Sequence, residues 1–244
     1  MRTRLIAPTV AAVALFAVFA PRPAEAQVSI WLQRGVDGYG GFVGLATNGT
    51  DALLSLSGGY SYQGFLDFDL GLAFIGYDDF FGDGTEVSAL TISPGIQYHP
   101  LKQSDNLPFS LGLGAVYNYT IYSSDELDAA GIELTGWSIS GSVNVYRFFK
   151  LSGNFGIIPA VAGSYVYESQ TLSDGVTDME GTVNSFSVAL GAYLGYLDAS
   201  NRIWGIIPSV SIPVWNDLEG SDPDVIFGIQ VGLIFSKPPP EPVE

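Results

Sequence analysis

The sequence predicts an all-β protein: an antiparallel transmembrane β-barrel of about ten strands. Three observations predict it. Apolar side chains recur at every second residue in segment after segment. The connections between these segments sort by charge into two alternating sets. After residue 26 no stretch is apolar for the roughly 20 residues that a spanning helix needs.

The last segment states the pattern most plainly. Val225, Phe227, Ile229, Val231, Leu233 and Phe235 alternate with Ile226, Gly228, Gln230, Gly232 and Ile234. An extended chain points successive side chains to opposite faces. One face is a row of large apolar groups, and the other is mostly small or polar. Repeated along the chain, this is the pattern of a wall with lipid outside and a lumen inside.

The elements follow in order. Residues 27–38 alternate weakly through Val28, Ile30 and Leu32 and are ambiguous. Residues 41–47 form a short first strand, and Asn48-Gly49 turns the chain. Residues 53–62 point Leu54, Leu56, Tyr60 and Tyr62 outward. Residues 65–77 are the cleanest strand, with Leu66, Phe68, Leu70, Leu72 and Phe74 on one face and Asp67, Asp69, Gly71 and Ala73 on the other. Strands at 87–99, 109–122, 133–146, 155–167, 183–197 and 202–214 repeat the alternation before the final one. The longest loop is expected at 168–182. Residues 123–131 and 147–154 are expected as a loop and a turn. Ten strands suit the even count of single-chain barrels; eight is the alternative if two segments fail to span. Pro94, Pro159, Pro208 and Pro213 fall inside strands, where the missing N–H predicts bulges or irregularity.

The chain opens with Arg2 and Arg4, then an apolar run to Ala20, then Ala24-Glu25-Ala26. That is the form of a secretory signal peptide cleaved after residue 26. Residues 27–236 are then the barrel, and residues 237–244 a proline-rich tail. Without Arg2, Arg4, Arg22 and Glu25, six basic residues face 24 acidic ones, a formal charge of −18. Nucleic-acid binding calls for the opposite sign. With no Cys, disulfides and thiol chemistry are excluded.

The charges are sorted. Connections at 48–51, 78–86, 123–133, 168–182 and 215–224 hold 17 of those 24 acids and no Lys or Arg. The other connections and the two ends hold Arg34, Lys102, Arg147, Lys150, Arg202 and Lys237. The acidic set contains the longer loops, which places it on the extracellular side. Aromatic residues gather at both strand ends, as two headgroup layers require.

The stretches Gly58–Leu72, Pro94–Pro100 and the Phe-containing last strand resemble the small outer-membrane β-barrel proteins of Gram-negative bacteria. The resemblance covers nearly all of residues 27–236, and its motifs are generic to the class. It implies an integral outer-membrane location and insertion by the outer-membrane assembly machinery. Gln230, Gly232 and Phe235 look like a partial version of the signal that machinery reads. The nine residues after Phe235 depart from relatives that end on the aromatic.

Candidate sites are few. His99, the one histidine, faces inward at the basic end. Without a second histidine or a cysteine, no catalytic group or metal centre is expected, and no cofactor. Asp67 and Asp69 share the inward face and, with His99 and Gln230, are candidate lumen groups. Asp78, Asp79, Asp83 and Glu86, and Asp217, Glu219, Asp222 and Asp224, offer carboxylate oxygens of the kind hard cations take. They are candidate divalent-cation loops or simply solvated ones. The expected function is a monomeric, non-enzymatic barrel among membrane lipids with a structural or surface-interaction role. A narrow passive channel for small or partly apolar solutes is the alternative.

Overall fold

The computed structural model of the chain describes residues 28–77, 85–217 and 224–237. The expected signal peptide, most of the tail, and Asp78, Asp79, Asp83, Glu219 and Asp222 lie outside them. A 3-10 helix, Val28–Trp31, precedes the strands. The strands are β1 (Gly38–Thr47), β2 (Ala52–Tyr62), β3 (Leu66–Tyr77), β4 (Val87–Leu101), β5 (Ser110–Ser123) and β6 (Glu133–Tyr146). They continue with β7 (Phe149–Ser152), β8 (Phe155–Ser173), β9 (Asp178–Leu197), β10 (Arg202–Asn216) and β11 (Ile226–Ser236). A short helix, α1 (Asp125–Ala130), lies between β5 and β6.

All strand pairs are antiparallel. Sequential neighbours pair, and β1 pairs with β11 from Gly38↔Ser236 to Thr47↔Phe227, which closes the wall. The short β7 adds no eleventh wall position. It pairs only with β8 and carries on the register of β6, from Tyr146↔Ala160 to Phe149↔Ile157. The barrel therefore has ten strands, and the eight-strand alternative falls.

The expected faces are the observed ones. On β3, Phe68, Leu70, Leu72 and Phe74 are exposed on the outside while Asp67, Ala73, Ile75 and Tyr77 are buried inside. On β11, Phe227, Ile229 and Val231 face out and Ile234 is buried. The aromatic bands are present at both ends. Tyr39 stacks on Phe235 with ring centroids 5.0 Å apart at the end where β1 begins and β11 finishes. Trp137 lies 6.4 Å from Tyr117 and 5.5 Å from Tyr167 at the acidic end.

The prolines behave less uniformly than expected. Opposite Pro94, pairing with β3 continues, while pairing with β5 skips from Ile92↔Tyr119 to Gly95↔Val116 in unbroken register. Pro208 likewise keeps β11 and skips β9. Pro159 parts β6 from β7, although Arg147 N still donates to Pro159 O at 3.2 Å. Each lacks one donor, and the neighbouring bonds hold the register. Of the four, only Pro213 has a register shift beside it, between Pro213↔Ser187 and Trp215↔Phe186, which turns Trp215 outward; Pro100, expected in a turn, lies in another shift, between Tyr98 and Leu101 of β4.

Three connections differ from expectation. Residues 168–182 are no loop: β8 and β9 run on as a hairpin to Ser173↔Asp178. The turn is made by Asp174, whose carboxylate accepts from Val176 N and Thr177 N, and by Gly175 at φ 79°. Asp-Gly is a favoured hairpin turn pair, here without the alternating apolar flanks that usually mark it. Residues 125–130 are helical and tuck Leu127 into the barrel mouth. Residues 147–154 contain β7. The first strand is also longer than 41–47, because Gly38 and Gly40 already pair with both β2 and β11.

The seam makes a test. A Cβ at Gly232 would stand 2.0 Å from the Phe42 ring. Gly232→Ala should lower stability by about 1–3 kcal/mol, as overpacking does, read as an earlier urea midpoint. Adding Phe42→Leu should recover part of that loss.

Candidate functional site: the closed lumen

The segment before β1 stops one end of the barrel. Val28, Ile30 and Leu32 are buried. Val28 and Leu32 pack with Phe42, Ile207 and Ile234 on β1, β10 and β11. Ile30 packs with Tyr146 and Ile158 across the lumen on β6 and β8. The Trp31 ring lies against Gly195 and Gly205, where a Cβ on Gly195 would stand 2.0 Å from it. Tyr193 meets it edge-on at 6.2 Å. The weak alternation at Val28, Ile30 and Leu32 was the trace of this stopper. Nothing in it distinguished a strand in the wall from a segment inside.

Polar ties hold the far end of the segment. Gly35 N donates to Gln63 O at 3.0 Å, and Asp37 accepts from Gln63 N at 2.7 Å. Arg34 Nη2 donates to Pro100 O at 2.9 Å.

Beneath the stopper, the lumen candidates come together in part. His99 and Asp67 are both fully buried, with His99 Nε2 3.7 Å from Asp67 Oδ2. The Tyr146 hydroxyl and His99 Nδ1 share a hydrogen bond of 2.9 Å. Gly112 leaves room for the imidazole, since a Cβ there would touch the ring at 3.0 Å. Asp69 points inward one pleat further along β3 and is also buried. Gln230 faces inward on β11, remote in the strand order, and half-buried. Gly232 and Phe235 of the expected assembly signal have packing roles, under Phe42 and on Tyr39.

A cleft of about 790 Å3 opens beside the stopper, between residues 30–34 and the β4–β5 connection. Lys102 lines it, 3.5 Å from Leu32 O and 5.7 Å from the Tyr146 ring centre. Burial pulls its ammonium down to about 8, against the opposing pull of the Asp67 carboxylate. Sequence reading missed this half-buried lysine, because a lone basic residue in a turn carries no signal of burial.

The acidic end is built differently on its two sides. Over β2–β6 the interior is filled: Leu53, Ile75, Tyr77, Val87, Leu127 and Leu134 form one buried cluster. Over β8–β11 several inward residues are small and half-exposed, including Ala162, Ser187, Ala189, Ser209, Ser211 and Gly228, although Ser164, Val166 and Val183 beside them are buried. Of the candidate cation loops, Glu86 is exposed. Asp217 is engaged elsewhere, accepting from Asn184 N and Asn184 Nδ2 at 2.7 Å each. Among the described residues no three metal-type ligands converge.

A closed antiparallel wall leaves no backbone group unpaired toward lipid, and its outside is an apolar belt between aromatic bands. The molecule has the fold of a closed, ten-stranded transmembrane β-barrel. No family model and no curated protein matches the chain. Among solved structures it is similar to the β domain of the Bordetella autotransporter BrkA, with a TM-score of 0.47 and 11% identity over 82% of this chain and 98% of that one. OprG of Pseudomonas aeruginosa gives 0.39 and 16%, covering 83% and 97%. The outer membrane protease OmpT of Escherichia coli gives 0.39 and 10%, covering 83% and 95%.

Lys102 offers a titration. The chain has three lysines, Lys102, Lys150 and Lys237, so NMR of the methylated protein resolves each. Between about pH 8 and its ordinary value near 10.5 the unfolded chain binds more protons at Lys102 than the folded one. Stability should therefore rise with pH across that window. Replacing Ile30, Trp31 and Leu32 by Ser should move the Lys102 midpoint upward while leaving Lys150 in place.

Proposed function

We propose that this is a monomeric, non-enzymatic outer-membrane barrel, closed at rest, whose working surface is its acidic end. The observation that carries the reading is the stopper: Val28–Leu32 bridges the lumen from β1, β10 and β11 to β6 and β8. A standing pore, the other expectation from sequence, does not suit a lumen so filled. A wall with no open sheet edge supports the monomer reading, since edge-to-edge pairing is closed off. His99 supports the non-enzymatic reading, being enclosed between Asp67 and Tyr146 away from the half-exposed side of the lumen. The working face is assigned to the acidic end because β8 and β9 project there as a paired hairpin carrying Glu168, Asp174, Asp178 and Glu180. That end is taken as extracellular, the short turns and both termini as periplasmic, and the lipids and assembly machinery as its partners in the membrane. The acidic loops are the place where divalent cations would associate.

Two measurements test this. Purified protein in a planar bilayer should show no sustained conductance; a stable open level would overturn the closed state. The chain lacks cysteine, so Val176→Cys at the hairpin tip, 92% exposed, places one thiol. An impermeant maleimide should label it on intact cells. Labelling only after lysis would reverse the orientation.

A further inference from the structure

We infer a second function beyond the closed resting state: the barrel is a conduit for small uncharged solutes, running along β8–β11 and gated by residues 28–34. The lumen is not filled evenly. The inward residues over β2–β6 are packed, whereas Ser187, Ala189, Ser209 and Ser211 remain half-exposed. That side bears hydroxyls and small apolar groups. Between Ile158 and Val166, Ser185 and Tyr193, Ile203 and Ser211, and Gly228 and Ile234, no inward side chain is charged. Such a surface offers hydrogen bonds and apolar contact but no counter-charge, which suits neutral, hydroxylated or partly apolar solutes. The acidic mouth beyond it disfavours anions.

The conduit ends on Trp31. The ring rests on Gly195 and Gly205, positions with no side chain to close the gap if it leaves. Residues 28–32 are held by apolar packing and one long bond, Lys102 Nζ to Leu32 O at 3.5 Å, whereas the shorter polar ties to the wall lie at Arg34, Gly35 and Asp37. The tether ends at Gly35, whose φ of 85° suits a pivot. The Trp31 indole N–H is buried with no hydrogen-bond partner among the described residues, a cost that release into water removes. The cleft of about 790 Å3 beside Leu32 and Lys102 gives the segment somewhere to go.

The test uses the cysteine-free chain. Ile30 and Ile158 pack together across the lumen, so Ile30→Cys with Ile158→Cys can lock the segment to β8. The readout is swelling of proteoliposomes in arabinose, a neutral sugar, and in glucuronate, a charged sugar acid one carbon larger. Heat-modifiable gel mobility shows that each variant is folded. The locked oxidised form should be silent, and reduction should restore slow arabinose entry at the wild-type rate. Trp31→Ala should raise arabinose entry at least tenfold while glucuronate lags well behind. Equal swelling of locked and reduced protein would overturn the gate. A folded Trp31→Ala protein, and a folded variant lacking residues 28–34, that both stay impermeable would overturn the conduit. Faster glucuronate than arabinose would overturn the solute class.

Discussion

The structure depends on one constraint: a backbone amide facing lipid has no water to bond to. Each such group left unpaired costs several kcal/mol. The sheet must therefore close, and here the closing ladder is β1 against β11, ten residue pairs long. Other features serve that ladder. Gly40, Gly44 and Gly232 let Ile234, Gln230 and Phe42 share a narrow interior beside it. Tyr39 on Phe235 covers its outer end. Pro94, Pro159 and Pro208 are tolerated because each interrupts one ladder while the bonds on either side keep the register, and Pro213 is accommodated by a bulge.

How much of this was legible in the sequence depended on period. Alternation of two residues is the strongest local signal a membrane strand can carry, and the outward faces of β2–β6 and β8–β11 followed from it. Closure and strand number followed too, since lipid admits few alternatives. The interior was less legible. Val28, Ile30 and Leu32 alternate as a wall strand would, yet they stand inside the wall. A three-residue apolar run does not encode which surface it will meet. The projecting hairpin of β8 and β9 was read as a loop because Glu168, Gln170 and Ser173 are polar. Beyond the bilayer a strand has no lipid to select apolar residues, so the alternation that marks it disappears.

The candidate site was legible as a set of residues and illegible as an arrangement. Asp67, Asp69 and His99 were placed on the inward face, correctly. That His99 meets Tyr146 and lies beside Asp67 depends on β6 standing two strands from β4, with Gly112 of β5 between them, which is a matter of topology. The stopper has the same origin. Its seat includes Gly38 on β1, Gly195 on β9 and Gly205 on β10, each unremarkable alone in a glycine-rich chain.

The seam also sets the order of events. Its two strands come from opposite ends of the described chain, so the closing contact is about as non-local as the sequence allows. Contacts of this kind form slowly and late. Until β11 is made, β1 has an unsatisfied edge, and nine paired strands form an open sheet rather than most of a barrel. A chain truncated before residue 226 loses the enclosure itself, along with the side of the stopper's seat that Ile234 supplies. The condition of the last strand therefore reports whether the whole molecule has closed.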